Sequence, residues 1–520
     1  MCHMCSQGRL NILRLFQTNK QRRSPGRLFY LVCLAAPATL QAQSGLGVFE
    51  KSADVGTVGH KGAVEYNADA STYRITGSGA NMWARVDAFH FLWRQAQGDI
   101  SITTDLEWAT TGGNAHKKAG PILRSGLEAD DAYADLIAHA DGLIGLQFRR
   151  TKGGPTEEVR TSIKAPATLR LERHGDVISA EVAPRGGTFQ PIGAFSLPMP
   201  ETVYAGLAVC SHDDKVAETA VFSNVAVRAG GVVDPKARAV ESTLETIDIE
   251  TGQRRIVHRD TTHFEAPNWS PDGSTLFYNG GGKLYRIPAS GGTAPQLIET
   301  GSVRLNNDHG LSPDGKWMAI SGSSSPGGSQ IWIVPATGGE PRLVAGQRPS
   351  YWHGWSPDGK TLAYCAQRNG EFDIYTIPVE GGEERRLTTA TGLDDGPEYS
   401  PDGQWIYFNS DRTGLMRIWR MRPDGSEQEM VSVGAPSADW FAHPSPDGRW
   451  LVYIAYDQSV KGHPANKDVQ LRIKPVSGGE ARVLATLFGG QGTINVPSWS
   501  PDSKHVSFVS YRLVARPATK

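Results

Sequence analysis

The chain has 520 residues and a formal net charge of −1, from 53 Lys and Arg against 54 Asp and Glu. The charges are mixed along its length, so no basic stripe points to nucleic acid and no acidic tail to a solvating arm. It is too long for one ordinary domain, and 59 Gly with 32 Pro suit short strands joined by tight turns. Two or three β-rich cores are expected.

The N-terminal stretch reads as an export signal over residues 1–42. Lys20, Arg22, Arg23 and Arg27 precede the apolar run LFYLVCLAAPATL, Leu28 to Leu40, and Ala42 is a small residue before a cut. Thirteen apolar residues are too few to span ~30 Å of hydrocarbon as a helix. No later segment reads as membrane-spanning, so a mature chain without a membrane span, periplasmic or secreted, is expected. Cys2, Cys5 and Cys33 fall in the leader. Cys210 and Cys365 sit in apolar strand-like runs and read as buried thiols, and no CxxC pair follows the leader to offer a zinc site.

Residues 46–228 read as a β-sandwich. Alternation is plain in ISITTDLEW and LRLER, and no amphipathic helix pattern competes. The run from ADVG through GSGANMWARVDAFHFLW to AGLAVCSHDDKVAETAVFSNVAV resembles concanavalin A-like jelly-roll modules. That resemblance implies a secreted protein and carbohydrate-active company. Trp83, Trp93 and Trp108 are the candidates for a sugar-stacking platform, against the commoner fate of core packing. Asp54 and Asp87 either hold a structural calcium or cap turns. The stretch AGGVVDPKARAVES, residues 229–242, reads as a linker.

From 243 to 515 a repeat takes over. Ser-Pro-Asp-Gly or a close variant recurs with its serine at 270, 312, 356, 400, 445 and 500, a period near 44 residues. Pro sets φ for the turn, Asp bonds back onto the backbone and Gly accepts positive φ. Each unit reads as four strands, a propeller blade. The last unit has room for little more than one strand after Ser500. TLETIDIETGQ and RRIVHRD, Thr243 to Asp260, are the strands that complete it and close a six-bladed ring. The repeat resembles the TolB-type six-bladed propeller, and similar repeats occur in prolyl-oligopeptidase-like enzymes and oligogalacturonate lyases. The hydrolase elbow Gly-x-Ser-x-Gly of the former is absent, as are Walker and dinucleotide fingerprints.

Loops entering the first strand of each blade share a face with the loops joining strands two and three. On that face His309 and His353 precede their serines by three residues and His443 by two. With Glu398 they form a candidate set for a divalent metal ion. Strand-entry histidines can equally bond neighbouring backbone. Asp308, Trp352, Asp394, Asp395, Trp440, His463 and Asn495 join them as candidate ligand contacts, and Arg368 and Arg412 could clamp a carboxylate. Two functions stay open. One is an exported envelope binding or scaffold protein that holds a protein or glycan on the propeller face. The other is a metal-dependent carbohydrate-active enzyme, a polysaccharide lyase or glycoside hydrolase, with its site at the propeller mouth.

Overall fold

A computed structural model describes residues 45–434 and 436–516, and they are all-β apart from one turn of 3-10 helix at Pro235–Ala237. The leader expected at 1–42 lies outside the described residues. Among the described residues no helix is long and apolar enough to cross a membrane.

The first domain is a sandwich of two seven-stranded antiparallel sheets. One runs Lys51–Val55, Phe89–Gln97, Thr202–Cys210, Lys118–Arg124, Tyr133–His139, Ile144–Arg149, Thr156–Arg160. The other runs Gln190–Ser196, Val177–Pro184, Ala167–His174, Asp99–Trp108, Asp213–Gly231, Thr72–Gly79, Ala63–Asn67. Strict alternation marks Ala167–His174 in the second sheet: Leu169 and Leu171 enter the core while Arg170 and Glu172 point away. The centre of the first sheet is buried on both faces, so its strands read as unbroken buried runs.

Asp213–Gly231 and Arg238–Asp248 leave only 232–237 between them. The expected linker 229–242 is therefore mostly strand. The reason is pairing: Arg238–Asp248 runs antiparallel to His505–Ala515 along its whole length, so these residues close the second domain rather than spacing it from the first.

That domain is a six-bladed propeller. Blades 1 to 5 are four-stranded sheets whose first strands are Phe264–Trp269, Arg304–Leu311, Ser350–Trp355, Asp394–Tyr399 and Ser437–Pro444. Blade 6 combines His505–Ala515 with Arg238–Asp248 and Arg254–Asp260, in the split arrangement expected from the repeat. Its innermost segment touches the sheet by a bridge from Trp499 to Val506.

The repeated turn explains the period. In every copy the serine hydroxyl donates to the aspartate, as Ser356 does to Asp358 at 2.6 Å, and accepts the amide of the next strand, Thr361, at 2.9 Å. Gly359 sits at φ 70°, a backbone that glycine adopts freely. In the sixth copy Ser503 takes φ 59°, and its hydroxyl accepts the Asp447 amide of the neighbouring turn at 3.0 Å.

The sandwich packs on the outer strands of the propeller. Val177 and Ala194 share an apolar cluster with Leu244, Val257 and Phe488. Around it Arg259 pairs with Glu181 at 2.7 Å, Arg512 with Glu172 at 2.9 Å and Arg150 with Asp468 at 3.1 Å.

Candidate functional site at the propeller mouth

Asp308, His309, Trp352, His353, Asp394, Asp395, Glu398, Trp440 and His443 lie within the first strands, not in loops leading to them as expected, whereas His463 lies in the loop between strands two and three of blade 5 as expected. Each of the five first strands slips register against its neighbour: between Glu265 and Asn268, Leu305 and His309, Trp352 and Gly354, Asp395 and Glu398, Trp440 and His443. The slipped residues Ala266, Gly396 and Phe441 have φ of 58°, 62° and 51°. Such bulges bend a strand and re-aim its side chains. Here they extend each strand past the expected boundary and leave polar residues at the mouth.

Five blades contribute one expected residue each to a cavity of about 450 Å³: Asp308, His353, Asp395, His463 and Asn495. Asn495 donates to Asp308 at 3.0 Å, joining blades 6 and 2, which are not neighbours in the ring. Asp308 also accepts from Asn306 at 2.8 Å. Asp395 faces two imidazoles, His353 at 3.3 Å and His463 at 3.9 Å. Phe441 stacks on His353 with ring centroids 5.8 Å apart and meets His463 edge-on.

Burial and neighbouring charge set these groups apart. Burial, with the Asp395 charge beside it, pushes the Asp308 carboxyl up to about 6 against the pull of His353. Burial would raise Asp395 too, but the hydrogen bond and charge of His353, with His463 and the Gly396 amide, bring it down to about 2. Burial opposes the His353 imidazolium, yet Asp395 and Asp308 raise it. His463 goes the other way, because burial outweighs Asp395. The mouth therefore holds a buried ion pair, a carboxyl that titrates near neutrality and an imidazole biased to be neutral. The Nδ1 of His463 and Oδ1 of Asn495 make no hydrogen bond within the protein. A wider groove of about 960 Å³, reaching His258, His263 and Tyr278, shares Asn306, Asn307 and Gln491 with the cavity.

The remaining expected residues are engaged elsewhere. Arg368 clamps Glu384 through two bonds of 2.7 and 2.8 Å, and Arg412 binds Asp394 at 2.8 Å, so these guanidiniums are saturated within their own blades. Trp352 and Trp440 are core residues of blades 3 and 5, and Trp440 backs the cavity by packing edge-on against His463 at 4.5 Å.

The four candidate metal ligands do not converge. His309 is fully buried, and burial holds its imidazole down at about 4. His443 lies between Glu398, at 2.5 Å, and the carbonyl of Ile494, so both ring nitrogens are occupied. His353 alone of the four lines the cavity. Among the described residues no group of three or more His, Cys, Asp or Glu side chains is arranged to hold a metal ion. In the sandwich, Asp54 is bound to His90 at 2.7 Å and Asp87 to two arginines, so protein groups fill the places a calcium ion would need.

Sequence reasoning missed Tyr351, Cys365, Phe372 and Phe441 in the cavity wall. Offset was the better signal. Residues five before the serine include Asn307, Tyr351, Asp395 and Asn495, and those four before it include Asp308 and Phe441. Residue chemistry directed attention to histidines three before it instead. Cys365 is a buried thiol as expected, and burial raises it well above its ordinary range.

The model of the TolB beta propeller domain matches residues 349–512. An uncharacterized protein of Agrobacterium fabrum is 49% identical over 274 residues, which cover 52% of this chain and 93% of that protein. This chain belongs to the TolB β-propeller family. A solved structure of a TolB candidate from Agrobacterium tumefaciens agrees: it is 48% identical, covers 53% of this chain and 99% of its own, and superposes with a TM-score of 0.51. This TolB-like chain thus carries its sandwich in addition to a domain about as long as those relatives.

Proposed function

We propose that the chain is an exported envelope binding protein that receives a segment of a protein or glycan partner at its propeller mouth. The observation that carries this reading is the cavity to which blades 2 to 6 each contribute at least one polar side chain. Its unmet hydrogen-bonding atoms on His463 and Asn495 are groups for a ligand to satisfy. Periplasmic or secreted placement rests on the leader read in the sequence. The jelly-roll kinship of the sandwich is part of the same reading, supported by its two-sheet build.

The contrast between Asp308 and Asp395 favours a second reading, a carbohydrate-active enzyme in which Asp308 exchanges a proton near neutral pH while Asp395 stays ionised. Its metal-dependent form lacks a donor set, since His309 is buried away from the cavity and His443 and Glu398 are bonded to each other.

Arrays of peptides and of acidic and neutral glycans, probed with the wild type and with His353→Ala and Asp395→Ala, test the reading. Binding that the two variants abolish, with no product formed, supports the binding protein. Unsaturated or shortened glycan products lost in Asp308→Ala support the enzyme. Binding that survives both mouth variants removes the mouth from either account.

A further inference from the structure

The sandwich holds a cavity of its own, of about 420 Å³, lined by Trp83, Lys118, His139, Gln147 and His212. This is the size range of small-molecule sites. Its most telling residue is His139, which is 4% exposed and makes no hydrogen bond through either ring nitrogen. Burial and the charge of Lys118 hold this imidazole down at about 4, so it presents one N–H donor and one acceptor. The Nδ1 of His212 and the Oδ1 of Asn81, which also line the cavity, are unpartnered within the protein too. Buried polar atoms left this way require an explanation, and four on one cavity point to a ligand.

The charges in the wall indicate what kind. Arg160 is bonded to Glu158 at 2.5 Å. Lys118 donates to the carbonyl of Met82 at 2.8 Å and to Gln147 at 3.3 Å, and its charge faces Asp135. Arg160 is thus paired and Lys118 bonded to neutral oxygens, while Asp141 and Lys164 stand exposed at the rim, so the inner wall offers a ligand mainly neutral hydrogen-bonding groups beside an indole. That combination suits a sugar ring, whose apolar face lies on an aromatic surface while its hydroxyls both donate and accept. The three candidate platforms separate accordingly. Trp93 is packed in the interior against Phe91, and Trp108 lies under the ammonium of Lys117 and outside the cavity. Half-buried Trp83 lines the cavity, with the Lys118 ammonium over one face of its ring at 5.1 Å, which leaves the other face and the ring edge for a ligand.

We infer that this cavity is a saccharide-binding site, with one sugar ring against Trp83 and its hydroxyls bonded to His139, His212 and Asn81. It is independent of the propeller mouth and shares no residue with it.

Calorimetric titration of the full chain with cellotriose, xylotriose, maltotriose, trigalacturonate and sodium phosphate tests the site. The expected result is binding of at least one neutral trisaccharide. Trp83→Ala and His139→Phe should weaken it about tenfold or more, and Trp83→Phe, which keeps a ring, should recover part of the loss with an unchanged melting profile. Three results would overturn the inference: no neutral trisaccharide binds; binding is indifferent to both substitutions; or only trigalacturonate or phosphate binds, and Lys118→Met abolishes it. Saccharide binding lost in Asp395→Asn but kept in Trp83→Ala also overturns it, by placing the sugar at the propeller mouth.

Discussion

Two aspartates separate the domains more clearly than their folds do. In the sandwich, Asp87 is fully buried and held by Arg149 through bonds of 2.7 and 2.8 Å and by Arg124 at 2.8 Å. Those guanidiniums also donate to backbone carbonyls, Arg124 to that of Glu128 at 2.6 Å and Arg149 to those of Ala129 and Asp131. At the propeller mouth, Asp395 is also buried, but apart from the Gly396 amide its partners are imidazoles at 3.3 and 3.9 Å, and an open cavity adjoins it. A charge completed by rigid neighbours is part of the scaffold. A charge left beside a cavity, among groups that titrate, is available to a ligand.

The comparison can be broken most severely at Asp87. Asp87→Ala leaves two buried guanidiniums without their counter-ion, and chemical denaturation should show a loss of about 3–5 kcal/mol. A loss below about 1 kcal/mol would mean that the arginines find water and that Asp87 is no more structural than Asp395.

Asp395→Asn should cost less, about 1–3 kcal/mol, because one hydrogen-bonded ion pair is lost in a site that a cavity can rehydrate. The pH dependence sharpens this. The folded carboxyl of Asp395 is depressed to about 2, so its contribution is present above the unfolded value near 3.8 and fades as pH falls toward 2. His353 is raised, so its contribution is present below 6.5 and fades as pH rises through its folded value. The pair acts in full between those limits. The destabilisation by Asp395→Asn should be larger at pH 5.5 than at pH 8.5, and thermal melts at the two pH values check it.

The smallest effect belongs to a repeated turn. Ser356→Ala removes one donor and one acceptor and should cost about 1 kcal/mol, leaving binding at the mouth unchanged in a titration.

The ring was legible because its turn chemistry is local. Proline, aspartate and glycine act within a few residues, so each blade announces itself, and the shortage of strands after Ser500 exposes the closure. The mouth was only partly legible. Asp308, His353, Asp395, His463 and Asn495 do meet there, but His309 is buried outside the cavity wall and His443 is consumed by Glu398 and Ile494. The cause is the bulge in each first strand, which sends adjacent residues to different faces and leaves no mark in residue chemistry. The saturation of Arg368 by Glu384 and of Arg412 by Asp394 was hidden for another reason: charged residues many positions apart meet only once the strands pair. In the sandwich, no alternation pattern foretells that Arg124 and Arg149 converge on Asp87.

The central claim is that the ring brings residues of separate blades into one electrostatic unit at the mouth. Site-resolved histidine NMR titration of the wild type and of Asp395→Asn tests it most directly. The account predicts that His353 titrates above 6.5 in the wild type, with His463 below it, and that His353 falls below 6.5 in the variant. A His353 that titrates at 6.5 or lower in the wild type and does not respond to Asp395→Asn would contradict it.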